Sequence, residues 1–115
     1  MTSADNPVPM YFMVIGTDKP DALPLRVATR ARHRDWLRGS HERVAVVASG
    51  ASLERDSTTM NGSLLVVAAS CYEDVLAFAQ ADPYAHAGVF ESVEIRRWDW
   101  TFGSPNGPTA SVNPI

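Results

Sequence analysis

Cysteine is almost missing from this chain: Cys71 is the only one in 115 residues. A single thiol cannot form an internal disulfide, so the fold must rest on its core, and such usage suits a reducing compartment. No apolar stretch approaches the roughly 20 residues that a bilayer crossing needs. The opening "MTSADNPVPM" has neither a basic start nor an apolar run, so the expectation is a cytoplasmic protein without a secretory signal or membrane contact. Glycine-rich phosphate loops are lacking as well; "ASGAS" holds one glycine and reads as a bend in a strand. Three histidines and one cysteine show no metal-ligand spacing, so neither a metal nor a cofactor is expected. Positive charge is in deficit, with a formal net charge of −3. Arg26, Arg30, Arg34 and Arg38 do recur every four residues. That spacing makes either a ridge for phosphates or a solvated edge balanced by Asp35 and Glu42. With no aromatic interleaving beyond Trp36, the solvated edge is preferred and no nucleic-acid partner is expected.

What is present is enough apolar residue, 45%, for one domain with its own core. The polar, proline-bearing segment 1–9 and the Gly-, Pro-, Ser- and Asn-rich segment 104–115 bury too little to offset their ordering entropy, so both are expected to be flexible. The domain is placed at residues 10–103. "MYFMVIGTD" reads as a buried strand and "KPDALPLRVATRARHRDWLRGS" as a helix with early prolines, ending at Gly39. "RVAVVASGASL" reads as a second strand with a bulge or bend at Gly50. The polar loop "ERDSTTMNG" closes on an Asn-Gly turn signal, and "SLLVVAAS" follows as a third strand. Ser70 and Glu73 match a capping box for a second helix that Pro83 stops at Asp82. After a loop, "VFESVEIRRWDW" alternates as a last strand, with Trp98 and Trp100 supporting the sheet or a contact between copies. The order β-α-β-β-α-β predicts an α+β, ferredoxin-like domain with a four-stranded antiparallel sheet. Two helices cover one sheet face only. The strands are apolar on both, so the other face is expected to meet a second copy in a homodimer.

Two polar residues break the apolar pattern of the helices. Val75, Phe78, Ala79 and Asp82 share a stripe on the second helix, which carries the acid inward at an unfavourable helix end. On the first helix, Thr29, Arg30, His33, Trp36 and Leu37 share a face, and burying Trp36 and Leu37 carries His33 inward with them. Asp82 either caps its own turn, as Asp-Pro often does, or meets His33; His33 is either a satisfied core residue or that partner. Pairing them resolves both anomalies. An aspartate bonded to one imidazole nitrogen fixes the tautomer and frees the other nitrogen to move a proton on a bound small molecule. Arg30, one turn earlier, could hold an anionic oxygen of that molecule. Tyr84 and His86 either line the mouth or lie on a surface loop. Cys71 has no base partner and is expected to be inert.

These residues resemble the YciI-like family. "RARHRDWL", "NGSLLVVAAS" and above all "AQADPYAHAGVFESVEIRRW" are similar to its helix, strand and D-P motifs, across nearly all of residues 10–103. The resemblance implies a dimeric α+β barrel in which His33 and Asp82 are the active-site pair. It adds Ser63 as a ligand-side position, and Gly88 and Phe90 as pattern positions with less defined roles. Gly50-Ala51 departs from the family's glycine-proline there. Lyase-type loss of hydrogen halide from oxygenated rings, or isomerisation of carbonyl compounds, is the chemistry implied. The expectation is a cofactor-independent enzyme of this kind, with a non-catalytic small-ligand binding or regulatory module as the alternative.

Overall fold

The structure, a computed structural model, describes residues 10–103; the segments expected to be flexible, 1–9 and 104–115, lie outside the described residues. Seven elements follow in order: β1 (Met10–Asp18), α1 (Leu23–Arg38), β2 (Val44–Leu53), β3 (Met60–Ala69), α2 (Tyr72–Gln80), α3 (Pro83–Ala87) and β4 (Phe90–Trp98). The strands form one sheet in the order β2-β3-β1-β4, with every neighbouring pair antiparallel. This is the expected α+β ferredoxin-like arrangement, with α3 added where the sequence reads as loop.

Strand alternation decides what the helices cover. Phe12, Val14 and Gly16 of β1 are buried, while Tyr11, Met13 and Ile15 between them are only half-buried. Register sets Phe12 beside Val67, Val14 beside Leu65 and Gly16 beside Ser63. The helix-facing side of the sheet therefore runs from large apolar residues to small and polar ones. Over the apolar end, α2 lays Val75, Phe78 and Ala79 against Phe12, Val14, Val44, Leu65 and Val67. Trp36 and Leu37 from the end of α1 pack on the same cluster. Burying each Val, Leu or Phe side chain here contributes about 1.5–3 kcal/mol. No helix among the described residues is long and apolar enough to cross a membrane.

Local details depart from the sequence expectations. Cys71, not Ser70, is the N-cap of α2, with no side-chain cap bond. The one-residue shift puts Glu73 and Asp74 in the first turn, where they complement the helix dipole instead of closing a capping box. Gly50 stays in register opposite Leu64, and the irregularities in β2 fall between Val46 and Ala48 and between Ser52 and Leu53. Asn61-Gly62 is not the turn. Gly62 lies within β3 opposite Thr17, where a Cβ would collide with the Gly16 carbonyl, so the glycine serves close strand approach. The hairpin turns at residues 54–59 instead, closed by the Glu54 N–H donating to the Thr59 carbonyl at 2.9 Å. Trp100 lies past the end of β4, with its ring 5.3 Å from Tyr11 and 4.8 Å from Trp98.

Candidate active site

The buried stripe of α1 is Arg26, Thr29 and His33, at spacings of three and four residues. A polar stripe turned inward requires partners, because an unpaired buried polar group costs about 1–3 kcal/mol. Each of the three has one. The Thr29 hydroxyl donates to the Leu25 carbonyl at 2.8 Å. Arg26, only 2% exposed, forks onto Asp18 at the end of β1 through Nε at 2.7 Å and Nη2 at 3.0 Å. Its Nη2 also donates to the Ser63 hydroxyl at 2.7 Å. Burial lowers the Arg26 pKa, but hydrogen bonding and charge attraction from Asp18 outweigh it and leave the guanidinium above its ordinary value. The four-residue arginine ridge is therefore broken. Arg26 points inward, Arg38 stands 3.9 Å from Asp35, and Arg30 and Arg34 remain exposed.

His33 meets Asp82. The imidazole Nδ1–H donates to Asp82 Oδ1 at 2.8 Å, and both residues are buried. Asp82 does not close α2, which ends at Gln80; it is the N-cap of α3, with Pro83 following in the first turn. Its Oδ1 also accepts the Tyr84 backbone N–H at 2.8 Å. The acid thus sits at a favourable helix end, and one oxygen serves both the turn and the imidazole. Cap and partner, alternatives in the sequence, are a single arrangement. Gly88 ends α3 with φ 83°, a left-handed conformation suited to glycine, which lets the Val89 N–H return to the Tyr84 carbonyl at 3.0 Å.

That short helix places Tyr84 under the imidazole. The two rings stack at 4.0 Å with 20° between their planes, and the Arg26 guanidinium lies 4.3 Å above the Tyr84 ring. Phe90 packs edge-on against Tyr84 at 5.9 Å, over the space left by Gly16. Burial pushes the Tyr84 phenol up from its ordinary value, and the charges of Arg26 and Arg30 pull it back only in part.

A cavity of about 240 Å³ opens between α1, β2 and β3. Arg30, His33, Ser63 and Tyr84 line it, joined by Arg26 and Arg34; Ser49, Gly50 and Ala51 form the β2 wall. The structure brings together five of the six sequence-predicted positions. His86 is the exception: it is exposed in the last turn of α3 and is not among the lining residues. Nε2 of His33 has no hydrogen-bond partner among the described residues, yet no fully buried side-chain nitrogen or oxygen is left unpaired. His33 is one of the residues that line the cavity. Such a site can orient a small molecule and exchange a proton with it. Among the described residues no group of three or more His, Cys, Asp or Glu could hold a metal ion.

Sequence reasoning missed Arg26, Asp18 and Arg34. Arg26 lies seven residues before His33, two turns along the same stripe, and that period was the available signal. The partner at Asp18 had no such signal.

Comparison with known proteins follows the same span. The model of the YCII-related domain matches residues 10–99. Protein YciI of Escherichia coli O6:H1 and that of Shigella flexneri are each 29% identical over 98 residues, covering 81% of this chain and all of theirs. Among solved structures, 5-chloro-2-hydroxyhydroquinone dehydrochlorinase from Burkholderia phenoliruptrix AC1100, in complex with 2,5-dihydroxybenzoquinone, superposes with a TM-score of 0.70. It is 26% identical, and the match covers 78% of this chain and 94% of that one.

Proposed function

Because this chain belongs to the YCII-related domain family, we propose that its buried dyad makes it an enzyme acting on a small oxygenated ring or carbonyl compound by general acid/base chemistry. The observation that carries this is the 2.8 Å bond from His33 Nδ1 to Asp82 Oδ1, made by an imidazole on a cavity wall. Asp82 fixes which nitrogen holds the proton, so Nε2 presents a lone pair inward when the ring is neutral. Tyr84, stacked on one face of the imidazole, keeps its plane from turning. Nε2 would take a proton from a hydroxyl or from a carbon α to a carbonyl, and the released electron pair becomes a carbonyl or an enolate. The imidazolium then returns its proton to another atom of the substrate, an isomerisation. Where the proton returns to a halogen-bearing ring carbon, a second hydroxyl proton can pass to Nε2 as the halide departs with its bonding pair and a carbonyl forms, a lyase step. Neither route needs an oxidant. The dehydrochlorinase with the same fold supports the ring-lyase branch. The outer sheet face, with Tyr11, Met13 and the exposed Leu64, is the surface on which we place a second copy of the chain.

The test is chloride release from 5-chloro-2-hydroxyhydroquinone, with solvent-deuterium exchange into unhalogenated hydroxylated rings as the isomerase branch. Turnover should fall by about 10²–10⁴ in both His33→Gln and Asp82→Asn. Ligand binding with no turnover by the wild type would mark a non-catalytic binding module instead. Unchanged rates in both variants would remove the dyad from the chemistry.

A further inference from the structure

The cavity is unbalanced in charge, and the imbalance sits at one place. Of its lining residues, Arg26, Arg30, His33 and Arg34 can carry positive charge, and none is Asp or Glu. Two of the four are neutralised within the protein, Arg26 by Asp18 and His33 by Asp82. Arg30 and Arg34 are not: neither forms an ion pair among the described residues. They lie one turn apart on α1, so both guanidinium groups stand on the same edge of the helix, facing one mouth. Like charges at that spacing repel, and no acidic residue lies three or four positions from either one to relieve them. Arg38, one turn further on, does have such an acid in Asp35 and does not line the cavity.

The other walls narrow the choice of ligand. Ser49, Gly50 and Ala51 on β2 are small and uncharged, so nothing there competes for an anion. The Ser63 hydroxyl accepts from Arg26 deeper in the cavity, which leaves its own O–H to be donated. A volume of about 240 Å³ falls below the 300–1,000 Å³ range of drug-sized sites and suits a single ring.

We propose that the ligand of this cavity is a monocyclic carboxylic acid whose carboxylate is held between Arg30 and Arg34, with its hydroxyl or carbonyl end directed to His33 Nε2 and Ser63. The proposal rests on the cavity being the substrate site of the proposed function, but not on His33 being catalytic. Arg34 is then a specificity-determining residue. It favours anionic rings over neutral ones, because it lacks an internal counterion and a carboxylate supplies one.

Calorimetric titration of the full chain with 2,5-dihydroxybenzoate and with 1,4-dihydroxybenzene separates the two possibilities, because the compounds differ only by the carboxylate. The wild type should bind the acid at least about 10-fold more tightly, as a charge-assisted hydrogen bond allows, and the gap should narrow at high salt. Arg34→Gln and Arg30→Gln should each weaken the acid by about 10-fold and leave the neutral ring within about twofold. His33→Gln should preserve the gap. Equal affinities in the wild type, no detectable binding of either compound, or an effect in only one of the two arginine variants would overturn the two-arginine clamp. Loss of turnover in His33→Gln with no carboxylate preference would leave the catalytic reading standing and remove this one; a preserved preference without turnover would do the reverse.

Discussion

Two regions share the space between the helices and the sheet, and they are built on opposite principles. At one end Phe12, Val67, Val75 and Phe78 form an apolar cluster that needs nothing but exclusion of water. At the other, Arg26, Asp18, Ser63, His33, Asp82 and Tyr84 are as deeply buried, yet polar. Every fully buried polar side-chain atom among the described residues has a partner. The same strands supply both ends, two or four residues apart: Val14 then Gly16 and Asp18 on β1, Val67 and Leu65 then Ser63 on β3. Apolar burial stabilises the fold outright. The polar end gains little net stability, because desolvating charges offsets much of what their pairing returns.

The largest expected difference between the two regions is in repair. Phe12→Ala should cost about 3–5 kcal/mol in urea denaturation, with no partner substitution that restores it. Arg26→Met should cost a similar amount, about 3–5 kcal/mol, because it strands the buried Asp18 carboxylate. Adding Asp18→Leu to Arg26→Met should then recover most of the loss, since removing both charges of a buried pair is often neutral or stabilising. A double variant as unstable as the single one would mean that the ion pair itself holds the fold, and the contrast between the regions would fail.

How much of this contrast was legible in the sequence differs between its parts. The apolar end was visible from strand alternation and the 3.6-residue period. His33 and Asp82 were visible as polar residues carried inward, although the stripe that carries His33 is itself polar and Asp82 caps α3 instead of continuing α2. Arg26 was hidden by its own company. Four arginines at four-residue spacing look alike in sequence, and only the position of Asp18, eight residues back on another element, decides which one turns inward. The helix α3 was hidden by length, since five residues cannot show a period, though Asp82, Pro83 and Gly88 supplied its cap, start and stop. Gly50 and Asn61-Gly62 were misplaced because glycine marks both turns and close strand contacts, and only register separates the two.

A smaller effect should appear at alkaline pH. Burial holds the Tyr84 phenol above the ordinary tyrosine value, so the folded state favours its protonated form. A raised folded pKa gives stability that is complete below the unfolded value of about 10 and is lost as pH rises through the folded one. Tyrosinate absorbance should show one of the three tyrosines ionising after the others, and Tyr84→Phe should remove that late step and flatten the alkaline loss of stability. A late step that persists in Tyr84→Phe would place the buried phenol elsewhere.

The central claim is that Asp82 fixes the His33 tautomer and thereby aims Nε2 into the cavity. Long-range proton–nitrogen NMR correlation of the ¹⁵N-labelled imidazole, at a pH where the ring is neutral, reads this directly. The wild type should show His33 protonated at Nδ1 with a lone pair at Nε2, and Asp82→Ala should lose that preference. A wild-type ring protonated at Nε2, or a Nδ1 tautomer unchanged by Asp82→Ala, would contradict the account.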